Sequence, residues 1–404
     1  MTIDAARIEP DVEGMKAWRH AIHRNPELGF EEHATSALVA ERLCAWGYEV
    51  HTGIAVTGVV GVLRVGDGSG RTIGLRADMD AIPVQEMTGL PWASTVPGKM
   101  HGCGHDGHTA MLLGAAELLA KHAKGGQLRG NGTVVLIFQP AEELGGGGGA
   151  RRMIEEGLFE RFPCDAIFGM HNFPGIPVGQ VHVRPGAFMA SSDKVLIRFV
   201  GRGGHGGMPH MAVDPTLPAA ATVLGLQSIV GRNVNPNLAA VISVGRMQAG
   251  SAYNVIGETA ELELSVRTLD PDVRNLVEQR IRELAENQAC AYGCTSEIRY
   301  ERGYPVLINA AAQTAFAVEV ARKTFGADQV VDDTQPLTGS EDFAFLLERV
   351  PGCYVLVGNG DNGHAEGRWA GGCMVHNPHY DFNDACLAVG ARLWVGLVEQ
   401  YFHN

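Results

Sequence analysis

The chain has 404 residues, 45% hydrophobic and 19% charged, a balance that supports more than one folded core and excludes disorder. Asp and Glu number 45 against 32 Lys and Arg, a formal charge of -13 at pH 7, which speaks against nucleic acid as the main partner. No apolar run reaches the length of a membrane span, and Met1 to Arg7 lacks the apolar core of a signal peptide, so the expectation is a cytoplasmic protein with no membrane partner.

Residues 12–23 and 31–46 carry amphipathic helical patterns. Apolar runs over 56–65 and 72–77 read as strands, the second ending in Arg76-Ala77-Asp78-Met79-Asp80. Next comes Met100-His101-Gly102-Cys103-Gly104-His105-Asp106-Gly107-His108-Thr109, which holds one thiol, three imidazoles and a carboxylate within ten residues. These are the ligand types of zinc and its neighbours. The interleaved glycines let side chains two residues apart reach one ion. A helix over 110–120 would anchor this loop.

A strand over 133–138 ends in Gln139-Pro140-Ala141-Glu142-Glu143 and runs into glycines at 145–149. Adjacent carboxylates at a strand end point in different directions. One can bind a metal while the other takes a proton from water whose pKa the metal lowers toward ~7. A further strand over 164–168 leads to Gly169-Met170-His171-Asn172, which adds His171 as a candidate ligand. Short β-branched runs with helices between them predict an α/β fold, a mostly parallel sheet with helices on both faces. Ligands of such sheets gather at the carboxyl ends of the strands.

From residue 194 the order becomes strand 195–200, helix 215–230, strands 239–246 and 259–268, helix 271–291 and strand 296–301. This βαββαβ order is that of a ferredoxin-like sandwich. It is complete in itself, so residues 188–304 read as an inserted domain between two parts of a catalytic domain, 1–187 and 305–404. The insertion contains Gly201-Arg202-Gly203-Gly204-His205-Gly206-Gly207, a glycine loop presenting His205. The α/β pattern then returns through 311–325, 342–349, 353–357 and a last helix over 384–402. In Thr338-Gly339-Ser340-Glu341-Asp342, Ser340 or Glu341 could hydrogen-bond groups around a site, and Ser340 suits a helix cap equally well. Cys373-Met374-Val375-His376-Asn377-Pro378-His379 offers His376 or His379 as a ligand, and Asp381 to Asp384 would cap the last helix. Of the eight cysteines, all but Cys103 are expected to lie reduced in cores.

Taken together, these segments resemble the dinuclear metallo-aminoacylase and carboxypeptidase family, in its branch of hippurate hydrolases, plant auxin-conjugate amidohydrolases and bacterial N-acyl-amino-acid amidohydrolases. The resemblance runs from His23-Arg24-Asn25-Pro26-Glu27-Leu28 to Tyr380-Asp381-Phe382-Asn383-Asp384. It implies a zinc-peptidase-like fold whose inserted ferredoxin-like domain serves as lid and dimerisation domain. It implies metal ligands at Cys103, His105, Glu143, His171 and His376, preferring His376 to His379, with Glu142 as general base. Two divalent ions per subunit are implied, and a mixed thiolate, imidazole and carboxylate set suits zinc, manganese, cobalt or nickel. Sister branches carry His-x-Asp at the first strand end; here the triplet is Arg76-Ala77-Asp78, so Asp78 either orients the metal shell or is a plain turn carboxylate. His205 matches a histidine that reaches across a dimer interface to stabilise an oxyanion. Asn254 and Arg267 match positions that hold a substrate carboxylate. The family often has Pro after Asn-Val-Ile, where this chain has Gly257.

The activity implied is hydrolysis of an N-acyl amino acid by a homodimer. A second reading makes Cys103 a nucleophile with His105 as its base, which leaves Glu143, His171 and His376 without a task. A third is a non-catalytic metal-dependent binding protein on the same fold, which an intact Glu142 counts against.

Overall fold

The computed structural model describes residues 8–360 and 373–403. The stretch Met1 to Arg7, read above for a signal peptide, lies outside them. Contacts divide the chain into a first unit, Met1–Gly186, Ile308–Gln335 and Asp342–Asn404, and a second, Ala187–Leu307 and Pro336–Glu341.

The first unit is built on an eight-stranded sheet in the order Glu49–Ile54, Gly58–Val65, Gly132–Gln139, Arg71–Asp78, Ala166–Phe173, Gly352–Gly358, Val181–His182, Val330–Val331. The four strands from Gly132–Gln139 to Gly352–Gly358 are parallel. They are apolar on both faces, with Ile73, Leu75, Leu136, Ile137, Ile167 and Val355 all buried, as strands covered by helices on both sides must be. Gly58–Val65 runs antiparallel to both Glu49–Ile54 and Gly132–Gln139, and Val181–His182 runs antiparallel to Gly352–Gly358. The sheet is therefore parallel at its centre and mixed toward its edges. The first two strands are joined by a tight turn, and only antiparallel strands can be joined so briefly.

Parallel pairing brings the carboxyl ends of the central strands to one edge. Asp78 is the register partner of Gln139, and Arg76 that of Gly169. The segments 78–80, 139–143 and 171–172 thus start side by side. Helix His105–Lys124 is almost wholly buried and packs against Val12–Arg24, His33–Trp46 and Leu387–His403. The core it joins includes Met15, Met111, Leu112, Leu393 and Trp394.

The expected helix over 384–402 begins as a short 3-10 turn, Asp384–Cys386, before Leu387–His403. Asn383 caps that turn by accepting from the Ala385 N–H, whereas the carboxylates of Asp381 and Asp384 go to Arg19. The expected helix over 342–349 shortens to Phe343–Leu347.

The second unit contains strand Asp193–Val200, helix Thr216–Arg232, strands Ala240–Ala249 and Thr259–Thr268, helix Pro271–Ala291 and strand Thr295–Arg302. The sheet order is Ala240–Ala249, Thr259–Thr268, Asp193–Val200, Thr295–Arg302, all antiparallel. Ala260, Leu262, Leu264 and Val266 alternate inward and pack with Val277 and Ile281 of the long helix. Asp270 starts that helix by accepting from the N–H groups of Asp272 and Val273, with Pro271 in its first turn.

None of the eight cysteines is in a disulfide, but Cys44 and Cys290 are exposed and Cys164 is partly so, which corrects the expectation that they fill cores. Among the described residues no helix is long and apolar enough to cross a membrane.

Candidate metal centre

The His/Cys loop turns sharply at Gly104, whose φ is +91°. A side chain there would be strained, and its Cβ would lie 2.2 Å from Oδ1 of Asn172. This close approach seats Cys103 and His105 over the end of strand Ala166–Phe173, which carries His171. The Sγ of Cys103 lies 3.3 Å from Nε2 of His171. Just past the end of strand Gly132–Gln139, Glu143 reaches Nε2 of His376 at 3.0 Å. Ligand atoms of Cys103, His105 and His171 lie within 4.8 Å of one another, and so do those of Cys103, Glu143 and His376. His105, Glu142 and Glu143 form a third such group, so all five candidate ligands and Glu142 share one cluster. His379, the alternative to His376, enters none of these groups among the described residues.

Hydrogen bonds fix which ring nitrogen each imidazole presents. Nδ1 of His105 is 3.1 Å from Oδ1 of Asp80, and its Nε2 is buried with no hydrogen-bond partner. Nδ1 of His171 donates to the Asn172 carbonyl at 2.5 Å, leaving Nε2 toward Cys103. A buried, orphaned imidazole nitrogen beside a thiol and carboxylates is the donor set expected of a thiophilic or borderline divalent ion. The residues therefore fit a metal.

Electrostatics point the same way. Burial alone would keep His105 neutral, but Asp78, Asp80 and Glu143 outweigh it and raise the imidazole to about 10. Burial holds His171 neutral, down at about 3. Burial first, then Glu143 and Glu142, push the Cys103 thiol well above its ordinary range. This is a poor setting for a nucleophilic thiolate unless a cation neutralises the carboxylates. Glu142 is buried and accepts from the Asp342 backbone N–H at 3.3 Å.

Asp78 faces a different imidazole from the one Asp80 holds. Its Oδ1 is 2.6 Å from Nδ1 of His108, its Oδ2 takes NH1 of Arg76 at 2.6 Å, and it stands 3.8 Å from His105 Nε2. His108 in turn contacts Asn172 Oδ1 at 2.7 Å, and Asn172 donates to the Tyr380 hydroxyl. Arg76 continues to Asp342 at 2.9 Å and to Gln139 at 2.8 Å. Below the loop, Arg19 is fully buried and donates to Asp106 and to Asp381, and His23 also meets Asp106. Arg19 escaped the reading of the sequence, and Asp80, His108 and Arg76, though inside the segments it singled out, received no role of their own. For Asp80 a signal existed: it lies two residues past Asp78, at the same strand end.

The remaining candidates belong to the second unit. His205 is exposed and pairs with Val255 in a two-stranded ribbon, which sets it beside Asn254 in the chain. The Gly207 N–H donates to Nδ1 of His205 at 3.0 Å. An accepting Nδ1 places the proton of the neutral ring on Nε2, so the outer tip of the side chain is a donor. The Asn254 carbonyl accepts from Gly206 at 2.8 Å, which ties the two loop segments together. Arg267 is half-buried and donates to Ser340 Oγ at 2.7 Å. Ser340 is thus a partner of Arg267 rather than a helix cap.

A model of the peptidase family M20/M25/M40 matches residues 74–400. The chain belongs to this family. M20 relatives of known name align over nearly all of it. A hippurate hydrolase of Campylobacter jejuni is 44% identical over 383 residues, 95% of each chain. An IAA-amino acid hydrolase of Arabidopsis thaliana is 37% identical, covering 99% of this chain and 89% of the relative. Among solved structures, a dinuclear metal-binding M20 peptidase of Bacillus subtilis superposes with a TM-score of 0.81 at 34% identity, over 100% of both chains. The M20 chain described here is a hydrolase that uses divalent metal.

Proposed function

We propose that this M20 hydrolase cleaves N-acyl amino acids to a carboxylic acid and a free amino acid, as a cytoplasmic homodimer carrying two metal ions per subunit. The observation that carries the reading is the convergence of Cys103, His105, Glu143, His171 and His376 around one cluster with Glu142 inside it. Those five residues would hold the ions. Zinc, manganese, cobalt and nickel all suit the donor set. When bound, the ions supply Lewis acidity, making water easier to deprotonate and the amide carbonyl easier to attack.

The chain's own groups do the rest. Glu142 takes the proton of the attacking water and returns it to the leaving amine, which makes amine expulsion possible at neutral pH. Its backbone-held carboxylate suits a group that must aim one oxygen. His205 donates from Nε2 to the oxygen that becomes negative, an interaction that strengthens as the tetrahedral state forms. Arg267 and Asn254 bind the α-carboxylate of the substrate. Among the described residues Arg267 forms no ion pair, so its charge remains available to an anion despite the acidic chain. Large apolar side chains exposed on the second unit, Leu224, Met247 and Tyr253 among them, support dimerisation through it.

Paired carboxamides test the assignment. Glu142→Gln should keep its metal and lose turnover by about 100- to 10,000-fold. Glu143→Gln should lose metal as well. Full metal in both variants with only Glu143→Gln inactive would reverse the two roles. An acyl adduct trapped on Cys103 would replace this mechanism by the thiol one.

A further inference from the structure

The turn that carries Glu142 is held from outside its own strand. Ala141 is fully buried and takes φ 54°, ψ 44°, the left-handed region that alanine resists because its Cβ crowds the following carbonyl. Neighbours must therefore hold it. The Ala141 carbonyl accepts from the Gly149 N–H at 3.0 Å. Its N–H donates to Oε1 of Glu32 at 2.8 Å, and Oε2 of Glu32 takes the Thr57 hydroxyl at 2.5 Å.

Glu32 comes from a distant part of the sequence, the residue before helix His33–Trp46. A carboxylate there would ordinarily cap its own helix. Here Glu27 does so, accepting from the N–H groups of Ala34 and Thr35, and Glu32 makes no cap bond. The side chain of Glu32 is instead buried against the turn. Keeping a carboxylate there is uphill: burial, with Asp80 adding to it, pushes its pKa up to about 7. On the other side of Glu142, Asp80 accepts the Glu143 N–H at 2.9 Å. Glu142 thus lies between two residues whose backbone N–H groups are each pinned by a buried carboxylate.

We propose that Glu32 is a positioning residue for the hydrolysis, holding the left-handed kink at Ala141 that aims the carboxylate of Glu142. Glu32 touches neither substrate nor metal in this role. The inference rests on Glu142 as the base.

The test is a set of metal-loaded variants assayed for kcat and KM on an N-acyl amino acid, with metal content and Tm measured on each. Glu32→Ala should keep its metal and its KM while kcat falls about a hundredfold, the cost of misaiming a reacting group by an ångström. Glu32→Gln should restore most of the rate, since its amide oxygen can still accept from Ala141 while its NH2 donates to Thr57. In an Ala141→Gly background, where the left-handed state carries no Cβ penalty, removing Glu32 should cost less than about tenfold. Equal losses in both backgrounds, or a loss that follows metal content or folded fraction, would overturn the proposal. Should Glu32→Ala not fold, Thr57→Val loosens one oxygen of Glu32 and should lower kcat about tenfold at constant KM; a wild-type kcat would then overturn it. Normal turnover by Glu142→Gln would remove the base and this assignment with it. An inactive Glu142→Gln beside a fully active Glu32→Ala would overturn this assignment alone.

Discussion

Asp80 meets Nδ1 of His105 at 3.1 Å and leaves the opposite nitrogen, buried and without a hydrogen-bond partner, to the cluster of candidate ligands. The pair does two things at once. It selects the tautomer that can bind a cation, and it makes the bound nitrogen more basic. Asp80→Asn keeps the shape but can donate where the carboxylate only accepts. It should weaken binding of the ion that His105 holds by about 10- to 100-fold. Competition with a chromophoric chelator would measure this, and an unchanged affinity would return the orienting role to Asp78.

Metal uptake should release protons. Without an ion His105 is held protonated up to about 10, and the Cys103 thiol sits well above its ordinary range. Both must lose a proton to become ligands. Apparent affinity should therefore rise with pH from 6 to 8, roughly tenfold per pH unit for each proton displaced. Calorimetry in buffers of different ionisation enthalpy would count the protons. Chelation should abolish activity and divalent metal restore it; full amidase activity in protein shown metal-free by elemental analysis would end the metal reading.

Arg19 should matter to the stability of the first unit. It is fully buried and bonded to Asp106, with Asp381 and Asp384 also within reach. Asp106 follows His105 directly, and Asp381 lies five residues beyond His376. Arg19→Met would leave the buried Asp106 carboxylate without its arginine and should cost about 3–5 kcal/mol. Urea denaturation reads the loss directly. A change below about 1 kcal/mol would mean that solvent already screens the cluster.

Arg267→Ala should raise KM for acyl amino acids far more than for their α-amides, because only the former carry the anion. Similar increases for both substrates would place the carboxylate elsewhere. If His205 completes the partner's centre, mixing inactive His205→Ala with inactive Glu142→Gln subunits should recover part of the activity, since one centre of the hybrid is whole. No recovery despite proven subunit exchange would rule out the shared centre.

The candidate ligands are legible in the sequence because each sits in a short segment with its own signature: the His/Cys loop, the Glu142-Glu143 pair, and histidines at a strand end or in a Cys/His-rich tail. Ranking His376 over His379 needed family resemblance, since both are plausible by residue type. What stayed hidden is made of contacts between distant segments. Arg19 and Asp106 are 87 residues apart, and Glu32 and Ala141 109 apart. No local pattern announces such pairs: a buried arginine and a solvated one look alike on a helix. The antiparallel edges of the sheet were hidden for a related reason. Apolar runs report burial, whereas strand direction is set by the connections between them.

Strands Ala166–Phe173 and Gly352–Gly358 lie next to each other in the sheet although the whole ferredoxin-like unit intervenes between them in the chain. The entropy of closing such a loop grows only with the logarithm of its length. A compact segment that returns the chain near its point of departure, as the pairing of Leu307–Asn309 with Gly186–Met189 does here, costs the sheet less still. The intervening unit can therefore grow, shrink or be replaced through evolution, changing what is recognised, while the scaffold beneath the ligand cluster keeps its register.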